Sequence, residues 1–209
     1  MRVETMPLGM LGTNCYIVVN DQKNAVIIDP GAKPEKVIAK MDELGAVPKY
    51  ILLTHGHFDH VGAVIALREH YGIQAGIGQL DSELTQDTTL VQTTLSIALA
   101  GEVFTSDIQF KDGDTITIDE LTFRMIHTPG HTKGGMCIVC NDFIFTGDTL
   151  FKGTCGRTDL YGGDYKEILK SLQKLAQLAG DYKICPGHEE WSTLEYEKET
   201  NPYMGNVAI

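Results

Sequence analysis

Tyr50-Ile51-Leu52-Leu53-Thr54-His55-Gly56-His57-Phe58-Asp59-His60 is the stretch on which the reading of this chain turns. Its apolar first half reads as a buried strand, and the strand leads directly into a loop carrying three histidines and an aspartate. At the chain's own His and Asp frequencies, H-x-H-x-D-H arises by accident in roughly one such sequence in two thousand. In an extended loop His55 and His57 project the same way and can share one metal ion, while Asp59 and His60 sit further on and can reach a second. One loop therefore has the donors to feed two ions, each of which still needs ligands from elsewhere.

Those ligands have plausible suppliers downstream. Six of the seven histidines, His55, His57, His60, His127, His131 and His188, fall in or beside loops that follow strand-like runs, where functional sites usually sit. His131 in Thr128-Pro129-Gly130-His131-Thr132, Asp148 in Thr146-Gly147-Asp148-Thr149 and His188 in Pro186-Gly187-His188 all occupy such loops. His70 lies beside Tyr71-Gly72 at the close of a helical pattern and reads as a helix-end residue. His127 reads as packing or hydrogen bonding at the base of the His131 loop.

Working outward, Cys15 to Val19 and Ala25 to Ile28 form a hairpin that closes on Asp29-Pro30-Gly31. Val37, Ile38, Met41 and Leu44 recur at helical spacing from Pro34 to the stop at Gly45. Val61 to Tyr71 reads as one helix, and Gln79 to Ala100 as helix followed by an irregular Thr-rich piece. Thr115 to Ile118 with Leu121 to Ile126, and Met136 to Cys140 with Phe143 to Phe145, make two further hairpins. Asp164 and Glu167 have capping-box spacing ahead of Ile168, Leu169, Leu172, Leu175 and Leu178, with Gly180 beyond. Lys183 to Cys185 is a last strand. The order predicts an α/β (α+β) chain with two mixed sheets packed face to face and helices outside.

Length and composition limit the alternatives. The 209 residues suit one domain spanning 1–209, and 43% hydrophobic with 22% charged residues is ordinary for a globular protein. A formal net charge of −11 argues against nucleic acid as partner, since phosphate backbones are bound by clustered Lys and Arg, and it favours a small-molecule substrate. Neither an export signal nor a membrane span is expected: the N-terminus has an early acid and no apolar core, and no long apolar run occurs. Five cysteines without framework spacing suggest free thiols and a cytoplasmic setting. Cys137 and Cys140 have C-x-x-C spacing, but in a strand their sulfurs would point to opposite faces, so no metal or redox pair is expected.

The run Thr54–His60, followed in order by the loops of His131, Asp148 and His188, resembles the metallo-β-lactamase superfamily across essentially the whole chain. Asn14-Cys15-Tyr16, Ile28-Asp29-Pro30-Gly31, Cys155-Gly156-Arg157-Thr158-Asp159 and Glu197…Asn201-Pro202 are similar to its glyoxalase II-like branch. The resemblance implies a four-layer αβ/βα sandwich with the metal site in a cleft at one edge of the two sheets. It implies that His55, His57 and His131 hold one ion, that Asp59, His60 and His188 hold the other, and that Asp148 bridges. Two divalent ions are expected, zinc first with iron or manganese as alternatives, about 3.5–4 Å apart and sharing a hydroxide that attacks a polarised carbonyl.

The implied activity is hydrolysis of a thioester or ester, with no Ser or Cys nucleophile needed. Asp59 has an expected second role, orienting the hydroxide or carrying a proton. Arg157 matches a substrate-binding basic position and is the expected contact for an anionic substrate, against an ion pair with Asp159; Lys152 reads as a solvated side chain. Asp29 is expected to orient the histidine loop from outside the ligand set, and Glu197 with Asn201-Pro202 to tie down the C-terminus. Full-length glyoxalase II enzymes carry a further helical domain and an aromatic residue near the basic one; neither is expected here, so the resemblance implies thioester or ester hydrolysis without specifying glutathione. Two other readings compete. Persulfide dioxygenases share the fold and most ligands but use one iron and oxygen; a non-catalytic metal-binding protein would keep the ligands without the reaction.

Overall fold

Strand alternation sorts the core into three parts. A computed structural model of the chain describes residues 1–87, 90 and 103–205. Along β2 (Thr13–Val19), Tyr16 and Val18 enter one apolar cluster while Cys15, Ile17 and Val19 enter another, as a period of two requires. β3 (Asn24–Ile28) repeats the division with Val26 and Ile28 against Ala25 and Ile27. Buried on both faces, such strands read as continuous apolar runs.

The first sheet orders β1 (Arg2–Leu8), β2, β3, β4 (Val47–Leu52), β5 (Gln74–Gly78) and β6 (Ile108–Phe110) side by side. Pairing is antiparallel from β1 to β3 and parallel from β3 to β6. The second sheet joins β7 (Thr115–Ile118), β8 (Leu121–His127), β9 (Met136–Cys140), β10 (Phe143–Gly147), β13 (Lys183–Pro186) and β14 (Ser192–Thr193). Only its β10–β13 pair is parallel. A small hairpin, β11 (Leu150–Phe151) and β12 (Thr154–Cys155), follows β10.

Between the sheets lie Tyr16, Val18, Ile28 and Leu52 against Phe123, Met125, Ile138 and Phe145. Outside the first sheet, α1 (Pro34–Leu44) and α3 (Val64–Tyr71) bury Val37, Met41, Val64 and Leu67; outside the second, α5 (Tyr165–Ala176) and α6 (Leu194–Thr200) bury Leu172, Leu175 and Leu194. The result is the four-layer αβ/βα sandwich expected from the sequence. Cys137 and Cys140 fall in different clusters, on opposite faces of β9.

Several expectations need correction. The helix expected over Val61 to Tyr71 is split into α2 (Phe58–Val61) and α3, because the chain passes too close to Gly31 to stay helical. A Cβ on Gly62 would stand 2.4 Å from the Gly31 carbonyl oxygen, and Ala63 N donates to Pro30 O at 2.9 Å. Helix α5 ends at Ala176, which leaves Leu178 beyond it. Of Gln79 to Ala100, Gln79–Asp81 is a 3-10 turn and Ser82–Gln86 forms α4; residues 88–89 and 91–100 lie outside the described residues. β1, β5, β6, β11, β12, β14 and α6 were not anticipated: most of these strands are short or edge elements with weak alternation, Pro7 itself suits an edge, and Gly76 and Gly78 interrupt the apolar pattern of β5. Among the described residues no helix is long and apolar enough to cross a membrane.

Candidate metal centre

Every side chain of interest follows the C-terminal end of a strand: Asp29 after β3, His55 and His57 after β4, His131 after β8, Asp148 after β10 and His188 after β13. The three-atom logic of a histidine ligand asks that one ring nitrogen be held by the protein so that the other is free. Asp29 supplies one such hold. Its Oδ1 accepts from Thr54 N at 2.7 Å, and its Oδ2 accepts from Thr54 Oγ1 at 2.5 Å and lies 2.9 Å from His60 Nδ1. Asp29 achieves this from a left-handed backbone, φ +49°, completely buried.

The other histidines are held similarly. His131 Nδ1 donates to Arg157 O at 2.7 Å, and His188 Nδ1 to Leu11 O at 3.3 Å; His55 Nδ1 lies 3.1 Å from Thr54 Oγ1. The His131 loop is locked onto α5. Asp164 N donates to Gly130 O at 2.8 Å, Ser171 Oγ donates to Pro129 O at 2.7 Å, and a Cβ on Gly130 would strike the Ile168 nitrogen. Asp164 also caps α5 through Lys166 N and Glu167 N, worth about 1 kcal/mol, so the helix and the loop share one residue.

The inward-facing atoms converge in overlapping sets. Ligand atoms of His55, His57 and His131 lie within 4.8 Å of one another, and so do those of Asp59, His60 and His188 and those of His55, His60 and Asp148. His57 Nδ1 faces His131 Nε2 at 2.9 Å. Asp148 stands between the sets, with Oδ1 3.4 Å from His60 Nε2 and Oδ2 3.5 Å from His131 Nε2 and 3.6 Å from His188 Nε2. Asp59 Oδ2 lies 3.3 Å from His188 Nε2 and accepts from Thr13 Oγ1 at 2.9 Å. Glycines permit this crowding: a Cβ on Gly187 would sit 2.3 Å from Asp148 Oδ1, and one on Gly156 only 1.7 Å from the Asp148 carbonyl oxygen.

Two observations fit the residues to cations. Buried polar atoms normally find hydrogen-bond partners, yet His55 Nε2, His57 Nε2, His60 Nε2 and Asp148 Oδ1 make no hydrogen bond. The charge balance points the same way. Burial alone would lower the pKa of His60, but Asp59, Asp148 and Asp29 outweigh it and hold the imidazole well above its ordinary range. Burial would raise Asp59 and Asp148, and His60 with its neighbours instead pulls both well below the usual carboxylate range. By contrast burial, with the neighbouring imidazoles, drives His55 well down and His57 to about 3, leaving both neutral and ready to ligate. Nucleophilic thiols are not prepared nearby, since burial pushes the Cys155 thiol up to about 11.

The remaining candidates have plainer surroundings. Arg157 spends its guanidinium on Asp159, in an exposed bidentate pair with both contacts at 2.7 Å, and reaches the centre only through its carbonyl. Lys152 pairs with Glu190 at 2.8 Å on the surface. His127 Nε2 sits 2.8 Å from Lys133 O, and His70 stacks edge-on against Tyr71. Glu197 accepts from Gly153 N and Asn201 Nδ2, both at 2.8 Å, and from Ser192 Oγ, which anchors α6 to the β11–β12 hairpin.

Sequence reasoning missed Asp81. Wholly buried, it accepts from Gly56 N at 3.1 Å, from Thr132 Oγ1 at 2.7 Å and from Gly134 N at 2.6 Å, and so clamps the His55-Gly56-His57 loop to the His131 loop. Burial raises its pKa, with these hydrogen bonds opposing. Its partners are distant in sequence and its own segment lacks periodicity, so no local pattern marks it. Thr13 was missed as well, and Asn14 was marked only through the Asn14-Cys15-Tyr16 resemblance, with no role given. Asn14 Nδ2 donates to Pro186 O and Glu189 O, securing the loop of His188 from across the sandwich.

A buried His and Asp cluster at one edge of two mixed sheets defines a class of metal-binding enzymes. The chain belongs to that class as a member of the metallo-beta-lactamase superfamily, whose model matches residues 8–188. It is 36% identical to hydroxyacylglutathione hydrolase GloC of Haemophilus influenzae, with all of both chains covered. The crystal structure of BLEG-1 B3 metallo-beta-lactamase superposes with a TM-score of 0.90 at 33% identity, covering 97% of this chain and 99% of that one. The structure of TTHA1623 in a di-iron-bound form gives 0.82 at 34% identity, covering 96% and 99%. The protein is therefore a metallo-hydrolase of this superfamily that binds divalent metal.

Proposed function

We propose that the chain, acting as one domain over 1–209, hydrolyses a small anionic thioester or ester at a two-ion centre. The observation that carries the reading is the convergence of seven donors with buried nitrogens that make no hydrogen bond. His55, His57 and His131 would hold one ion, Asp59, His60 and His188 the other, with Asp148 between them. Zinc is the first choice, and the same donor types suit iron or manganese; the similar TTHA1623 structure is of a di-iron-bound form. A divalent ion bound there lowers the pKa of a coordinated water toward about 7 and polarises a carbonyl.

The chain's own residues do the rest. Asp29 holds His60 in the tautomer that leaves Nε2 free, and Arg157 O does the same for His131. Asp59, kept ionised by His60 and held by Thr13, would orient an attacking water, take its proton and then pass that proton to the leaving group. The similarity to GloC supports a thioester substrate. Arg157 contacts the substrate's anion only by exchanging Asp159 for it, a small cost for an exposed pair. All five cysteines are free, which fits a reducing compartment and supports a cytoplasmic setting.

Elemental analysis of protein purified without added metal, with parallel assays of thioester hydrolysis and persulfide-dependent oxygen uptake, tests the proposal. Two ions per chain and thioester hydrolysis are expected. A single iron with oxygen consumption would replace the reading by an oxygenase, and preference for a β-lactam over every thioester would replace the substrate class.

A further inference from the structure

A cleft of about 610 Å³ opens beside the proposed metal centre, with Asp59 in its wall. Its volume lies in the range of small-molecule sites. Its walls have two characters. Met10 and Leu11, at the tip of the turn between β1 and β2, are 77% and 43% exposed, and Phe58 adds a further apolar side chain to the lining. Lys33 and Lys36, at the start of α1, line the same cleft. On a chain of net charge −11, most other basic side chains meet a carboxylate: Arg68, Lys40, Lys133, Lys152, Arg157 and Lys183 all do. Lys33 and Lys36 have no carboxylate partner among the described residues.

The cleft adjoins the proposed centre through two residues. Asp59 forms part of the lining, and Leu11 O accepts from His188 Nδ1, so the apolar tip is fixed to a candidate ligand. Arg157 and Asp159 do not line it.

We infer that this cleft binds the non-reacting limb of the substrate, an apolar segment against Met10, Leu11 and Phe58 ending in a carboxylate or phosphate held by Lys33 and Lys36. The inference rests on the hydrolase reading for the reacting bond, and it assigns the anion to α1 rather than to Arg157. Exposed cations each contribute modestly, so both lysines are needed for a clear effect. The apolar wall adds about fourfold in affinity per methylene covered.

The test has a binding arm and a kinetic arm. Calorimetry with S-hexylglutathione, a thioether that cannot be hydrolysed, should give roughly tenfold weaker binding to metal-loaded Lys33→Ala/Lys36→Ala than to the parent protein, with a smaller gap at high salt. Equal binding overturns the inference. In the kinetic arm, succinyl and butyryl thioesters of N-acetylcysteamine place or omit an anion on the acyl limb, and acetyl thioesters of glutathione and N-acetylcysteamine do so on the thiol limb. A rise in KM of about tenfold for the anionic member of one pair, with kcat unchanged, identifies the limb. No rise in either pair overturns the assignment while hydrolysis of the neutral thioesters leaves the hydrolase reading intact. If no thioester is hydrolysed, the hydrolase reading fails and the calorimetry alone decides the cleft.

Discussion

The two proposed metal positions are built from different physics. His55, His57 and His131 form an all-imidazole set, every member buried, with His55 and His57 driven toward the neutral form largely by burial. Asp59, His60 and His188 mix one carboxylate with two imidazoles whose pKa values are raised by nearby carboxylates, and His188 is partly open to solvent. Imidazoles held neutral, as His55 and His57 are, take a cation without first losing protons. A set already holding protons against carboxylates must release them as the ion enters. The first position is thus preorganised by burial and the second by charge, and Asp148 touches both.

Removing the first position should have the largest effect. His57→Ala takes away one of three buried donors, and activity should fall on the order of 10³-fold together with loss of one ion per chain by elemental analysis. Full activity with full metal would show that His57 is not a ligand. Asp59→Ala acts at the more open position and also removes the group proposed to handle the proton. It should cost on the order of 10²-fold in kcat while the ion of the three-histidine set stays in place. Equal metal loss in the two variants would erase the distinction between the positions.

Acid should separate them without mutation. As pH falls from neutral, protons compete for imidazole nitrogens, and they win first where the imidazole pKa is raised. His60 and His188 are raised and His55 and His57 are lowered, so the second ion should leave at higher pH than the first. Metal content after equilibration across pH 7 to 4 should therefore drop in two steps. A single step with both ions lost together would mean that the shared Asp148 couples the positions more strongly than their own surroundings separate them.

What the sequence disclosed follows the same division between local and distant. His55, His57, Asp59 and His60 share one loop, so their spacing announced a site before any fold was known. The sheets were legible where strands are buried on both faces, as in Met136 to Cys140, because runs of apolar residues are long there. Edge elements such as β1 and the two-residue strands bury too little to leave a pattern. The break between α2 and α3 escaped notice because it is imposed by contact with Gly31, a residue from another loop. Asp29 was suspected through family resemblance, and its contacts with Thr54 and His60 agree with an orienting part. Asp81 carried no such mark, since all it does is accept hydrogen bonds from residues far along the chain.

Asp81 gives the finest test of the comparison, because it supports only the three-histidine position. It holds Gly56 between two of that set's members and Thr132 and Gly134 beside the third. Asp81→Asn keeps the volume but exchanges one accepting oxygen for a donating amide, which must then face an N–H donor from Gly56 or Gly134. The loop should loosen without unfolding, and affinity for the first ion should fall about tenfold, at the low end for residues that orient ligands. The second ion should bind as before, and kcat at saturating metal should change only a few-fold. Competition with a chelator, read on each position through the Asp59→Ala and His57→Ala backgrounds, would show this. A loss shared equally by both positions would mean that Asp81 supports the whole cleft edge, and that the two halves of the centre are less independent than their surroundings imply.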